Sequence, residues 1–230
     1  RLQPDYIVGK HHRILADMLM ALERGDSDRI CVNIPPRHGK SHIVSTFFPA
    51  WFLGRNPDKK LIMASHTSDL AVTLAADSKS AGRWNTNFGG EYYACGVGSA
   101  LAGRGADLLI IDDPHSEQDI INGNYSIFEK AYKWFTLGAR TRLMPGGRVA
   151  IVQTRWHMDD LSGRLVKDMG MNPIADKYEV VEFPAILEVE REGKTVEVPL
   201  WPEFFDLEAL HATRASMPLF QWMAQFQQNP

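Results

Sequence analysis

Residues 34–41 read Ile-Pro-Pro-Arg-His-Gly-Lys-Ser, a combination of residue types that suits phosphate binding. They follow an apolar run at residues 29–34 and precede a helical pattern from Lys40 to about Leu53. Loop N–H groups and a helix N-terminus attract an anion, while Lys40 adds a positive charge and Ser41 a metal ligand. The residues predicted to bind nucleotide phosphate are Pro36, Arg37, His38, Gly39, Lys40 and Ser41.

This phosphate loop (residues 34–41) departs from the full P-loop pattern because Ile34 replaces its first glycine. The surrounding sequence still favours phosphate binding. The preceding residues are typical of a buried parallel strand, and Pro35-Pro36 prevents that strand from passing directly into a helix. The alternative is an ordinary turn between a strand and a helix.

Two carboxylates follow a second apolar run at residues 108–111. At the carboxyl edge of a parallel sheet, one carboxylate can hold Mg²⁺ and a second can orient or deprotonate a water molecule. We therefore predict that Asp112 and Ser41 hold Mg²⁺ and that Asp113 acts on the water, as in the Walker B motif. Glu117 is the reserve candidate, because Asp113 is one methylene shorter than the glutamate common at this position.

Other candidate residues lie at the end of a strand, in a glycine-containing loop and at the start of a helix. Gln153 and Thr154 end a buried strand, where they could sense the γ-phosphate of a nucleotide. Arg104 lies between two glycines and either reaches a phosphate or is a solvated surface residue. His12, next to His11, could face an adenine ring or simply contact solvent.

The rest of the chain alternates between strand and helix patterns, which predicts a parallel sheet flanked by helices. The sequence thus favours an α/β P-loop NTPase of the RecA-like, additional-strand (ASCE) type, with one strand inserted between the phosphate-loop strand and the strand ending at Asp112. Further strands are predicted at 61–65, 91–97, 148–154 and 178–183, a hairpin around Gly193, and helices at 9–24, 70–76, 125–142, 158–165 and 206–214.

Length and composition narrow the class of protein. The 230 residues, 44% of them hydrophobic, can form one domain over 1–230, and the first residue is not Met, which suggests a fragment. A net charge of −3 excludes a globally basic nucleic-acid coat. Cys31 and Cys95 suggest neither a disulfide framework nor a metal pair. No apolar run approaches the ~20 residues that span a bilayer, so we expect no membrane association.

Four motifs in the chain are considered together: residues 35–41, 103–107, 110–114 and 154–161. In this order and spacing they resemble the large terminase subunit of tailed bacteriophages. The resemblance implies an ATPase that uses Mg²⁺ and drives double-stranded viral DNA into a procapsid, in the cytoplasm of an infected bacterium. It also implies a homo-oligomeric ring on the procapsid, which contacts the portal protein and the small terminase subunit, although the chain can be monomeric in isolation. The family normally carries a C-terminal RNase H-like nuclease domain, and we expect that domain to be absent from this chain.

The resemblance also implies individual roles. Arg104 matches the arginine finger that acts on a neighbouring subunit, with Arg155 and Arg37 as alternatives, and Thr154 matches the motif that couples hydrolysis to movement. The residue that contacts adenine in the family is represented here by Gln3 or by His11 and His12 at the start of the first helix. Other possibilities are a different P-loop DNA translocase or helicase, and a nucleotide-binding scaffold without turnover.

Overall fold

A computed structural model of the protein describes residues 6–67 and 82–230. Within these ranges, seven strands form one sheet and two more form a separate hairpin. The strands are β1 (Arg29–Asn33), β2 (Lys60–Ser65), β3 (Arg83–Asn85), β4 (Glu91–Gly96), β5 (Ala106–Asp112), β6 (Leu143–Gln153), β7 (Glu179–Glu182), β8 (Ile186–Arg191) and β9 (Lys194–Pro199).

The spatial order of the large sheet is β3-β4-β2-β5-β6-β1-β7. Neighbouring strands run parallel except β3 and β4. β6 lies between β1, which leads into the phosphate loop, and β5, which ends at Asp112. The predicted insertion of one strand between them is therefore confirmed. Because these three strands are parallel, their C-terminal ends meet at one side of the sheet, the carboxyl edge.

Helices pack on both faces of this sheet. The α-helices described are α1 (Lys10–Arg24), α2 (Phe48–Arg55), α3 (Glu117–Ile121), α4 (Ser126–Lys133), α5 (Leu161–Met171), α6 (Leu207–Ala215) and α7 (Leu219–Gln225). A π-helical segment, His42–Phe47, precedes α2, and another, Trp134–Ala139, follows α4. None of the helices in the described part of the chain is long and apolar enough to cross a membrane.

Side chains of β1 alternate between two apolar cores. Ile30 and Val32 pack in one cluster with Leu15 of α1, whereas Cys31 packs in a second cluster with Phe135. Successive residues of a strand point to opposite faces, and all three β1 side chains are buried because helices cover both faces. The result is a three-layer α/β core that fixes the carboxyl edge in place.

The hairpin β8-β9 and the helices α6 and α7 form a C-terminal module (residues 184–230) with its own apolar cluster. Trp222 and Leu210 are buried in that cluster. The module contacts the phosphate loop, because the ring of Phe205 stacks on His38 with centroids 5.1 Å apart. It also contacts the end of β6, where the amide of Arg155 donates to Gln228 Oε1 at 3.2 Å.

Several boundaries differ from the sequence prediction. β6 begins at Leu143, ahead of the predicted start at residue 148, because Leu143 pairs with Ala106 across an irregularity in the ladder. Residues 83–85 pair with β4, although no element was predicted between residues 77 and 90. The short helices α3 and α7 were not predicted. The predicted helix at 70–76 and the candidate Gln3 lie outside the described residues.

Candidate functional site

The phosphate loop turns sharply between β1 and the following helix. Arg37 has φ 63° and Gly39 φ 81°, so the backbone enters the left-handed region twice. At Gly39 a side chain would also clash, because a Cβ atom would lie 2.2 Å from Tyr6 Oη and 2.4 Å from His12 Nε2. Glycine is therefore required at position 39 for both conformation and space.

His11 and His12 of α1 contact the backbone of this loop on the side that faces α1. His11 Nε2 and His12 Nε2 lie 3.1 Å and 3.0 Å from the carbonyl oxygen of His38. His12 Nδ1 also accepts a hydrogen bond from the amide of Gly9, and only 2% of His12 is exposed. The sequence offered His12 as a contact for an adenine ring or for solvent. The structure instead buries it against the loop, with both ring nitrogens within hydrogen-bond distance of a partner.

Lys40 and two carboxylates meet at the carboxyl edge. Lys40 Nζ lies 2.8 Å from Asp113 Oδ2. Ser45 Oγ donates to Asp112 Oδ2 at 2.6 Å, whereas Asp112 Oδ1 is buried without a hydrogen-bond partner among the described residues. Burial, and next the charge of Asp113, raise the pKa of Asp112 to about 6.

The free oxygen of Asp112 suits a hard cation. Mg²⁺ in proteins takes one or two carboxylates and completes its shell with water and substrate phosphates. The Ser41 hydroxyl acts to lower the pKa of Asp112, which places this hydroxyl near the carboxylate. The described residues contain no group of three or more His, Cys, Asp or Glu arranged for a metal, so water or substrate oxygens would supply the other ligands of a bound ion.

Ser45 was missed by the sequence analysis, although a signal was present. It lies four residues after Ser41, a spacing that places two side chains on the same face of a helix. The contact with Asp112 spans 67 residues of chain, and it exists because β5 and the phosphate-loop helix meet at the carboxyl edge.

Asp113 links the phosphate loop to the end of β6. Its backbone has φ 44°, and its amide donates to the carbonyl of Val152 at 3.0 Å. Asp113 Oδ1 accepts from the amide of Thr154 at 2.9 Å, and Thr154 Oγ1 donates to the carbonyl of Ile34 at 3.1 Å. The structure therefore brings Lys40, Asp113 and Thr154 together. Gln153 is buried beside them, without hydrogen-bond partners for its amide group in the described residues.

Two cavities open on either side of the phosphate loop. The first, about 540 Å³, is lined by Gly39, Lys40 and Ser41 and by the aromatic side chains of Tyr6, Trp201 and Phe204. Trp201 and Phe204 are stacked, with centroids 4.5 Å apart. They lie about 160 residues beyond the loop in sequence, and no local pattern marked them as site residues.

The second cavity, about 750 Å³, is more polar. Lys40 and Asp113 line it together with Thr154, and Glu117 lies on its wall at the start of α3. Glu117 is exposed. Both candidates for the group that acts on water therefore face this cavity.

The three candidate arginines lie in different environments. Arg37 lines both cavities. Arg155 is 7% exposed and its Nε lies 3.1 Å and 2.9 Å from the two carboxylate oxygens of Asp160, an ion pair that holds it inside the core. Arg104 precedes β5 at the opposite edge of the sheet, where Nη1 donates to Glu91 Oε1 at 2.6 Å and the guanidinium lies over the Tyr93 ring.

No protein-family model and no curated protein sequence matches this chain. Solved structures do match its fold. The large terminase of a thermophilic bacteriophage aligns with a TM-score of 0.60 and 10% identity, over 96% of this chain and 52% of that protein. The same terminase in complex with ATP-γ-S gives a TM-score of 0.57 and 8% identity, over 96% of this chain and 52% of that protein.

The ATPase domain of the Thermus phage P74-26 large terminase aligns over 92% of both chains, with a TM-score of 0.53 and 16% identity. The chain thus spans about half the length of the thermophilic bacteriophage terminase but nearly all of the isolated Thermus phage domain. Together with the parallel sheet and its inserted strand, these matches show that the chain has the α/β P-loop fold of large terminase ATPase domains.

Proposed function

We propose that this chain binds ATP with Mg²⁺ and hydrolyses it. The observation that carries the proposal is the meeting of Lys40, Asp113 and the free oxygen of Asp112 at one point of the carboxyl edge. A lysine beside a glycine-containing loop binds phosphate oxygens, and a partnerless carboxylate oxygen suits Mg²⁺. The complex of the thermophilic bacteriophage terminase with ATP-γ-S supports a nucleotide as the ligand.

Each residue has a distinct task in this proposal. The amides of the phosphate loop and Lys40 hold the β- and γ-phosphates, while Ser41 and Asp112 hold Mg²⁺. When bound, the metal neutralises charge on the phosphate oxygens. Asp113 orients the attacking water and accepts its proton. Thr154 links Asp113 to the phosphate loop, because its amide donates to Asp113 Oδ1 and its hydroxyl donates to the carbonyl of Ile34.

The aromatic side of the first cavity fits the nucleotide base. Trp201 is buried, whereas 48% of Phe204 is exposed, so the Phe204 ring offers a surface for stacking. Aromatic rings bind planar bases through offset stacking in a concave, mainly apolar site. We therefore assign the base to the space between Phe204 and Tyr6, instead of to the buried His12.

We further propose that hydrolysis drives double-stranded DNA into a viral procapsid. The terminase fold of the structural neighbours supports this role. The chain would act in a homo-oligomeric ring, with the portal protein and the small terminase subunit as partners, in the cytoplasm of an infected bacterium. A different DNA translocase with the same fold is the second candidate.

The test is ATP hydrolysis measured with and without double-stranded DNA in the presence of Mg²⁺. Lys40→Met should lower turnover by about a thousandfold or more, because a buried cation at the phosphates is lost. Lys133→Met is the matched control, since Lys133 is exposed and pairs only with Glu129 among the described residues. Hydrolysis that persists in Lys40→Met would refute the assigned site, and an unsubstituted chain that has no activity in an assembled ring would refute the function.

Arg104 is proposed as the arginine finger for a neighbouring subunit. It lies at the opposite edge of the sheet from Lys40, so within one chain it cannot contact the phosphates bound there. Arg104→Ala should therefore keep nucleotide affinity and lower turnover by roughly 10³-fold or more in the assembled ring.

The control is Arg83→Ala, because Arg83 also pairs with Glu91, at 2.8 Å, but is more exposed. Mixing Arg104→Ala chains with Asp113→Asn chains should restore part of the activity, since some interfaces then hold an intact finger and an intact carboxylate. Full loss in every mixture of assembled rings would contradict action between subunits.

A further inference from the structure

Three buried histidines surround the back of the phosphate loop, and none of them faces either cavity. His11, His12 and His38 are exposed by 1%, 2% and 0%. The rings of His11 and His12 lie 3.8 Å apart, and both direct Nε2 to the same carbonyl oxygen, that of His38. A carbonyl oxygen only accepts hydrogen bonds, so we assign the ring proton of both histidines to Nε2.

The other nitrogen of His12 is consistent with this tautomer. His12 Nδ1 accepts from the amide of Gly9 at 3.0 Å, so it carries no proton. Burial lowers the pKa of His11 to about 4, and it also lowers the pKa of His12. Both imidazoles are therefore neutral at physiological pH, and each supplies one donor to the His38 carbonyl.

The two contacts with the His38 carbonyl also affect the direction of the Gly39 N–H, because both groups belong to the same peptide. In a trans peptide the C=O and the following N–H point in opposite directions. Holding the His38 carbonyl toward α1 directs the Gly39 N–H away from α1, to the side where loop amides receive phosphate. A carbonyl has two lone pairs, and two donors fill both, which opposes rotation of this peptide.

We propose that His11 and His12 are positioning residues that fix the His38–Gly39 peptide, so that the Gly39 N–H is aimed at a bound phosphate before any ligand arrives. This inference rests on the proposed function, because it concerns the phosphates of the same nucleotide. It also accounts for the need for glycine at position 39, since any side chain there would strike His12 Nε2.

The test compares Gln with Met at both histidines. Gln keeps an N–H donor at about the position of Nε2, whereas Met has a similar length and volume but no donor. The probes are inorganic pyrophosphate, which reports on the phosphate loop alone, and ATP-γ-S. Affinities are measured by calorimetry, and thermal unfolding checks that the Gln and Met variants have similar stability.

His11→Met and His12→Met should each weaken pyrophosphate binding about threefold, because one donor still holds the carbonyl. The double Met variant should weaken it about a hundredfold, more than the product of the two, since the sites share one acceptor. The double Gln variant should remain within about threefold of the unsubstituted chain. Phe204→Ala is the contrast: it should weaken ATP-γ-S binding and leave pyrophosphate binding unchanged.

Unchanged pyrophosphate affinity in the double Met variant, or equal losses in the double Gln and double Met variants, would overturn the proposal. The two proposals fail separately. An unsubstituted chain that binds pyrophosphate without hydrolysing ATP refutes the ATPase function alone. A chain that hydrolyses ATP and tolerates both Met substitutions refutes the positioning role alone.

Discussion

Asp113→Asn is expected to abolish ATP turnover while leaving nucleotide binding intact or tighter. Asp113 Oδ2 is the carboxylate oxygen nearest Lys40 Nζ, at 2.8 Å. Its backbone is fixed by the bond from its amide to Val152, and its other oxygen by the amide of Thr154. An amide in its place cannot take a proton from water, and general base catalysis contributes about 10²–10⁴-fold.

Nucleotide affinity should rise in Asp113→Asn, whereas turnover falls, because Lys40 is paired with Asp113 in the unsubstituted chain. A phosphate group must compete with Asp113 for the ammonium group of Lys40, and the Asn variant removes that competitor. Removing a negative charge near the phosphates also lowers repulsion. We expect the affinity for ATP-γ-S to rise by up to about tenfold, which corresponds to about 1.4 kcal/mol.

The measurement is turnover and ATP-γ-S affinity in the same preparations, with Glu117→Gln as the matched carboxylate-to-amide control. Glu117 lines the same cavity but is exposed, and the described structure gives it no contact with Lys40. If Glu117→Gln removes turnover and Asp113→Asn retains it, the roles of the two residues are reversed. Weaker ATP-γ-S binding in Asp113→Asn would contradict the proposed competition for Lys40.

The second large effect is a loss of folding stability on acidification. Burial lowers the pKa of His38 and of His115 to about 4, and it also lowers the pKa of His11 and His12. In the unfolded chain a histidine titrates near 6.5. Between these values the unfolded state binds more protons than the folded state, so stability is present above pH 6.5 and is lost as the pH falls toward 4.

Asp112 acts in the opposite direction but offsets only part of this loss. Its folded pKa of about 6 lies above its unfolded value, so below pH 6 the folded state binds a proton there that the unfolded state lacks. When the effects of His38 and His115 are combined with the opposite effect of Asp112, we expect the free energy of unfolding to be on the order of 2 kcal/mol lower at pH 5 than at pH 7. The histidines of α1 add to the loss.

Urea unfolding at pH 7 and pH 5 measures this difference. His115→Gln should reduce it, because Gln can still accept from the amide of Leu161, as His115 Nε2 does at 3.0 Å, but does not titrate. His211→Gln is the control, since His211 is partly exposed and pairs with Glu197 on the surface. Equal stability at the two pH values would show that the buried histidines do not control acid unfolding.

The sequence alone predicted the strand-loop-helix segment that contains residues 34–41 and the strand inserted beside it. This segment is continuous in the chain, so residue types and spacing alone are enough to predict it. The run ending in Asp112 could be placed at the same edge because parallel strands present their C-terminal ends together. The inserted strand β6 followed from the same reasoning, and the sheet has that order.

The tertiary structure decided which side chains complete the site. Ser45 contacts Asp112 across 67 residues, and Trp201 and Phe204 line the cavity beside Lys40 from the distant C-terminal module. In the folded chain His12 is buried against the His38 carbonyl, and Arg155 forms an ion pair with Asp160. Such contacts depend on the packing of separate elements, whose orientation is fixed by burial over the whole core, and no local spacing in the sequence encodes it.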